Sequence, residues 1–183
     1  MGGVIETEIR DKIKAEAAAI DARTTTLESV SKPGNTAKVI ADTSSALTLT
    51  SAAHAGRIVT FGKLTGVDIT LPAATGTGDV YTLIRALAAT SNTDTILVST
   101  LPGTDIFSGG VFTMTNDTDN GEAWWTASDS DTITLDITTT GGVAPGEKFV
   151  FTDIASGVWN VIGFTNSAGT EATPFSANIA APA

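Results

Sequence analysis

The chain has 183 residues, no cysteine, one histidine and a formal net charge of −10. This length fits one ordinary domain plus an appendage, since single domains cluster at roughly 100–150 residues. The lack of cysteine excludes disulfides and thiolate metal sites. The acidic balance argues against binding to nucleic acid or to an anionic membrane, because such binding needs clustered Lys and Arg.

Two further features bear on where the chain works. The sequence has no apolar run near the roughly 20 residues needed to cross a bilayer, and its first residues lack the basic region and apolar core of a secretory signal. We therefore expect synthesis in a cytoplasm without export by the general route. Only 16% of the residues are charged while 42% are hydrophobic, which favours a surface that packs against neighbouring chains.

The first predicted element is a helix over residues 4–30, a stretch rich in Glu, Lys, Ala and Arg. Its apolar residues recur at intervals of three, four or seven, as on one stripe of a helix. The stripe consists of Ile9, Ile13, Ala17, Ile20 and Leu27. An isolated helix of this length is marginal in water. We therefore predict that residues 1–32 form a helical anchor or stalk that contacts other chains, with packing on the chain's own β domain as the alternative.

After a predicted linker over residues 33–45, the pattern changes from helical to alternating, which predicts an all-β domain over residues 46–165. The predicted strands span residues 46–50, 57–61, 67–71, 79–87, 95–99, 111–115, 122–126, 131–137, 148–154 and 158–164. Turn residues separate these segments and no long helix lies between them, which favours antiparallel pairing. The expected fold is mainly β: an antiparallel β-sandwich, a jelly roll or a small barrel, with a short N-terminal α-helix.

Two adjacent tryptophans follow the strongest hairpin signal of the chain, Asn120-Gly121. Successive side chains of a strand point to opposite faces. We therefore expect one of Trp124 and Trp125 to anchor the core and the other to be exposed or covered by a partner. The last segment, residues 166–183, is polar, small and proline-containing, and it is predicted to be an extended C-terminal arm.

The sequence offers little for catalysis or metal binding. His54 is the only histidine, so the common zinc sites lack ligands, and nothing around it resembles a nucleophile elbow. Glycines such as Gly76 and Gly78 lie between strands and do not open a helix, unlike those of a phosphate-binding loop. The carboxylates of residues 117–122 and 129–131 are interpreted as parts of hairpin loops, with a bound cation or a glycosidase pair as alternatives. We predict no enzymatic activity, no cofactor and no metal.

Several segments of the sequence resemble those of virion proteins of tailed bacteriophages. They are SAAHAGR at 51–57, DITLPAATGTGDVYTLI at 68–84, SDTITLDITTTGG at 130–142, ASGVWNVIG at 155–163 and GTEATPFSA at 169–177. The resemblance covers roughly residues 45–178 and is to the small β-rich proteins that decorate or cement the capsid exterior, including head-fibre proteins. Tail-fibre and adhesin domains also contain Leu-Pro-Ala-Ala and Thr/Gly-rich segments.

This resemblance implies a structural protein on the capsid exterior of a virion, made in the host cytoplasm. The implied partners are further copies of the chain, as a homotrimer, and the major capsid protein. The helical stripe of residues 9–27 would bundle chains or dock on the capsid, and the exposed tryptophan would be a contact residue. A fibre module that binds a receptor or a host surface glycan is the alternative, since sugars stack on flat indoles.

Overall fold

The computed structural model of the chain describes residues 9, 11–20, 39–90, 94–97, 104–115 and 121–177. Contacts divide the chain into two compact units, Met1–Ala37 and Lys38–Ala183, and each is described by itself. The described part of the second unit consists almost entirely of strands and turns, with one helix of a single turn. The prediction of a mainly β chain is therefore confirmed.

In the first unit, residues 11–20 form helix α1, and residue 9 is also helical. The segment is rich in alanine and free of glycine and proline, which favours a helix. Ile13 and Ile20 are 62% and 63% exposed, so this part of the predicted apolar stripe faces solvent in the single chain. Leu27, the last member of that stripe, lies outside the described residues.

In its described residues, the second unit contains twelve strands in two sheets and one helical turn. In chain order they are β1 (Val39–Asp42), β2 (Ala46–Thr48), α2 (Ser51–His54), β3 (Ile58–Phe61), β4 (Asp68–Thr70), β5 (Val80–Arg85), β6 (Asp94–Leu97), β7 (Ile106–Thr115), β8 (Gly121–Trp125), β9 (Thr132–Leu135), β10 (Lys148–Ala155), β11 (Val158–Ser167) and β12 (Phe175–Ser176). The large sheet has the order β1-β3-β5-β10-β11-β7-β8, and the small sheet has the order β12-β9-β6-β4-β2.

Both sheets are mixed, so the expectation of antiparallel pairing throughout was wrong. Strands β1, β3 and β5 pair in parallel, as do β2, β4 and β6, and β7 pairs in parallel with β11. From β1 to β6 the chain alternates between the two sheets. Two neighbours in one sheet are therefore separated by a strand of the other and run in the same direction, and the single turn α2 is the only helix described in these connections. Among the described strands neither sheet closes into a barrel.

Strands β1, β3, β5 and β10 lie side by side in the large sheet. Ile40, Val59, Leu83 and Phe149 follow one another across β1, β3, β5 and β10 in register. Val59, Leu83 and Phe149 are fully buried. This apolar row runs across the inner face of the large sheet, where it forms part of the core.

One buried cluster receives side chains from both sheets. The large sheet contributes Trp159 and Phe107, and the small sheet contributes Ile133 and Phe175. The rings of Phe107 and Phe175 lie 6.5 Å apart between centroids. Phe175 belongs to β12, within the segment predicted as an extended arm, so part of that segment packs on the chain's own core. Likewise β1 lies within the segment predicted as a linker.

A buried ion pair joins the strand β5 to the connection before β10. Glu147 accepts a hydrogen bond from Nε of Arg85 at 2.9 Å, and from the backbone N–H groups of Gly142 and Asn166. Burial raises the pKa of Glu147, although these donors oppose the shift. The pair therefore ties three parts of the chain together below the surface of the large sheet.

Candidate functional site

The outer face of the large sheet is apolar along β7 and β11. Side chains alternate between the faces of a strand, and the inner positions are filled by core residues such as Val111 and Val161. Of the positions next to these, Gly110, Phe112 and Ile162 point outward without a polar side chain, whereas Asn160 is polar. Phe112 and Ile162 are 41% and 65% exposed, so these two strands carry large apolar side chains on both faces.

The edge strand β8 extends the same surface. Its register places Trp124 opposite Val111 and Trp125 opposite Gly110. Trp124 accordingly packs against the core, whereas Trp125 is 77% exposed. The two indoles thus lie on opposite faces of the sheet, with Trp125 on the outer one.

A groove of about 400 Å³ lies on this outer face. Its floor is at Gly110, which stands between Trp125 of β8 and Ile162 of β11 in the strand register. A Cβ at Gly110 would lie 3.3 Å from the Trp125 ring and 2.9 Å from the carbonyl oxygen of Trp124. The absence of a side chain at this position therefore lets the indole approach the sheet and leaves the groove open.

Aromatic stacking continues the surface along the sheet. Phe112 and Phe164 are direct neighbours in β7 and β11, and their rings stack at 6.1 Å with an angle of 26° between planes. We call seven neighbouring outward residues of these three strands the aromatic face; the polar outward residues Ser108, Asn160 and Asn166 border it. It consists of Gly110, Phe112, Met114, Ala123, Trp125, Ile162 and Phe164.

The aromatic face contains no ionisable side chain. The residue opposite Phe164 in the adjoining strand β10 is Lys148, which is exposed. Asn160, the next outward residue of β11, donates its side-chain N–H to the carbonyl oxygen of Ser108 at 2.9 Å. Exposed contiguous apolar surface of this kind marks an interaction site rather than an ordinary solvated sheet.

The other predicted contact surface is the stripe of α1. Ile9, Ile13 and Ile20 are 54%, 62% and 63% exposed, and Ala17 is exposed as well. In a helix, residues at these spacings share one side. The first unit therefore presents apolar side chains to solvent in the single chain, as the aromatic face does in the second.

The only histidine has a role in capping. Nδ1 of His54 accepts a hydrogen bond from the backbone N–H of Thr50 at 2.9 Å, while the Thr50 side chain accepts from the N–H of Ala53 at 3.3 Å. These bonds satisfy donors at the start of α2. The hydroxyl of Ser51 donates to Asp79, so in the described part of the chain these residues do not form a Ser-His-Asp relay.

The acidic loops were the remaining candidates for a metal. Within the described ranges, no cluster of three or more His, Asp or Glu is arranged to hold an ion. Asp131 accepts from the hydroxyl of Thr132 at 2.7 Å, while Asp117 and Asp119 lie outside the described residues. The described part of the chain also contains no helix that is long and apolar enough to cross a membrane.

Sequence reasoning missed most of the aromatic face. It singled out the tryptophan pair but took Phe112, Met114, Ile162 and Phe164 as ordinary strand residues. The signal was present as adjacent apolar residues such as Val111-Phe112 and Val161-Ile162, because such pairs place apolar groups on both faces of a strand.

The chain matches no protein-family model, no curated protein and no solved structure at a significant level.

Proposed function

We propose that this chain is a non-enzymatic structural protein that assembles as a homotrimer and decorates the outside of a bacteriophage capsid. The observation that carries the proposal is the aromatic face. Large apolar side chains such as Trp125 and Ile162 remain exposed in a fully formed sheet. Such a surface favours association with protein, because covering it removes apolar area from water.

The proposal gives the two units different partners. The second unit forms the outward body of the particle, and α1 attaches it to the major capsid protein through the stripe that contains Ile13 and Ile20. A trimer attached at three points gains avidity, so that each single contact can be weak. The resemblance to capsid decoration proteins supports this division of roles. We also infer that the two sheets pack face to face as a β-sandwich, since both contribute to one core.

The test combines a mass measurement with capsid binding. Light scattering after size exclusion should give three times the chain mass of 18.6 kDa. The protein should also co-sediment with expanded capsids of the phage that encodes it. In the variant Ile13→Asp/Ile20→Asp, capsid binding should be lost, because two charges replace apolar contacts, while circular dichroism of the β unit should be unchanged. Capsid binding equal to that of the wild-type chain would contradict the anchor role.

A glycan-binding fibre module is the second candidate, and one observation favours it. Trp125 is 77% exposed beside an open groove of about 400 Å³, and a flat indole offers a stacking platform for a sugar ring. A glycan array should then give a signal that Trp125→Ala abolishes. Capsid co-sedimentation of the wild-type chain, without any glycan signal, favours the decoration role.

A further inference from the structure

The aromatic face belongs to a larger apolar surface. Among the outward residues of β5 and β10, Val80, Val150 and Ile154 continue it, while Thr82, Thr152 and Lys148 are the polar residues on this side of the two strands. The surface spans the five neighbouring strands β5, β10, β11, β7 and β8, which have 5 to 10 residues each. With a rise of about 3.3 Å per residue and a spacing of about 4.8 Å between strands, their outer side covers about 600 Å². Specific protein interfaces bury about 800 Å² on each partner, so the surface approaches the size that a stable contact needs.

The charges of the chain restrict the partner. A chain with a net charge of −10 repels nucleic acid and anionic lipid. It also repels its own copies, but this repulsion is weakest between surfaces without carboxylates, because salt screens charges beyond about 8 Å. The aromatic face is such a surface, and its contact with an identical face requires no matched pattern of opposite charges.

Shape points to the same partner. A surface that meets copies of itself must supply both the projections and the depressions of the contact. The aromatic face has both: Trp125 and Ile162 project from it, and the groove at Gly110 lies between them. Exposed aromatic side chains that enter such grooves dominate binding energy in protein interfaces.

We infer that the aromatic face is the contact between copies of this chain, and that the three aromatic faces of the proposed trimer meet one another around its three-fold axis. The inference rests on the self-assembly in the proposed function and assigns it to a surface. The helix α1 is then free to serve the capsid rather than the trimer.

The test measures self-association of the full chain by sedimentation velocity over a range of concentrations. Ile162→Asp places a carboxylate in the centre of the aromatic face, and it should weaken self-association by at least about a hundredfold. Leu64→Asp is the matched control, since Leu64 is 51% exposed in a loop between β3 and β4. It should associate like the wild-type chain. Circular dichroism and thermal unfolding of both variants establish that each is folded.

A second measurement does not introduce a charge into the aromatic face. The chain has no cysteine, so Ile162→Cys and Leu64→Cys each provide a single thiol for alkylation. The rate at position 162 should fall as the protein concentration rises through the association range, because the thiol becomes covered. The rate at position 64 should stay constant.

The outcomes separate this inference from the proposed function. A wild-type chain that is monomeric at all concentrations overturns both. If Ile162→Asp associates like the wild-type chain while Ile13→Asp/Ile20→Asp is monomeric, self-assembly stands but belongs to α1, and the inference is wrong. Loss of association in Ile162→Asp alone, with protection of the thiol at 162, supports it.

Discussion

Asp153 fixes the loop between β4 and β5 to the large sheet. Its side chain is buried in β10, and its oxygens accept hydrogen bonds from the backbone N–H groups of Thr75 at 3.0 Å, Gly76 at 2.6 Å and Thr77 at 3.1 Å. The hydroxyls of both threonines also donate to it, at 3.2 and 2.9 Å. Desolvation disfavours the charged carboxylate, but these donors outweigh it and hold the pKa of Asp153 below its ordinary value.

Asp153→Asn keeps the size of the side chain and removes its charge. Gly76 donates to Oδ1 and Thr77 donates to Oδ2, so the amide NH₂ group must face one of these two N–H groups. A buried donor without a partner costs about 1–3 kcal/mol, and the remaining hydrogen bonds lose about 1 kcal/mol when the acceptor is no longer charged. We expect the free energy of unfolding to fall by about 3 kcal/mol.

Urea denaturation at pH 7, with all variants at the same protein concentration, measures this loss. With a slope of about 2 kcal/mol per molar urea, the midpoint should fall by about 1.5 M. The exposed Asp68 in β4 gives the control, and Asp68→Asn should change stability by less than about 0.5 kcal/mol.

The pH dependence supplies a second check. Because the folded pKa of Asp153 is lowered, its stabilisation is fully present above the unfolded pKa of about 3.9 and is lost as the pH falls through the folded pKa. The stability difference between the wild-type chain and Asp153→Asn should therefore shrink below about pH 4. If Asp153→Asn unfolds within about 0.5 kcal/mol of the wild-type chain at pH 7, the hydrogen bonds do not stabilise the loop and the reasoning is refuted.

Three further predictions concern the core. Burial and the charge of Asp79 raise the pKa of Tyr81 to about 12. Tyr81 is the only tyrosine of the chain, so the absorbance of tyrosinate should appear near that pH. Between about pH 10 and 12 the free energy of unfolding should fall by about 1.4 kcal/mol per pH unit, because in this range only the unfolded chain loses the tyrosine proton. Arg85→Met leaves the buried carboxylate of Glu147 without its cation and should cost about 3–5 kcal/mol in urea denaturation, more than the double exchange with Glu147→Leu. Gly163→Ala places a Cβ 2.7 Å from the ring of Phe149 in β10. It should lower the melting temperature by an amount that corresponds to a loss of about 1–3 kcal/mol in the free energy of unfolding. A melting temperature equal to that of the wild-type chain would show that the core can shift to accommodate the added methyl group.

Strand positions could be predicted from the sequence because apolar and polar residues alternate along a strand that has one buried and one exposed side. The segments at 57–61 and 79–87, for example, contain β3 and β5. Pairing direction could not be predicted, because an alternating segment has the same pattern beside a parallel or an antiparallel neighbour. The chain passes between sheets after nearly every early strand, so sequence neighbours such as β3 and β4 are not sheet neighbours. The absence of long helices between strands had favoured antiparallel pairing. In the described residues, a strand of the other sheet makes the connection, so parallel pairs form without a long helix.

The candidate site could be predicted only in part. Because Trp124 and Trp125 are adjacent in a strand, their side chains must point to opposite faces of the sheet. The sequence alone did not show which of the two rings packs in the core. Register decides it, since Trp124 lies opposite the buried Val111. Similarly, hydrophobicity favours Phe164 over Thr165 for the core, but in the structure Thr165 is fully buried and Phe164 is 43% exposed. A polar residue thus occupies the inner position and an aromatic one the outer position, the reverse of what hydrophobicity alone favours.

Two glycines of the neighbouring strands β7 and β11 show how the two faces of the sheet are used. A glycine inside a strand costs about 0.5–1 kcal/mol relative to alanine, so each needs a compensating contact. Gly163 makes room for the ring of Phe149 in the core, which recovers that cost through burial. Gly110 makes room for the indole of Trp125, yet that ring is 77% exposed in the single chain. In the proposed assembly a neighbouring copy covers this indole, and the burial that it adds would compensate for Gly110 as the core does for Gly163.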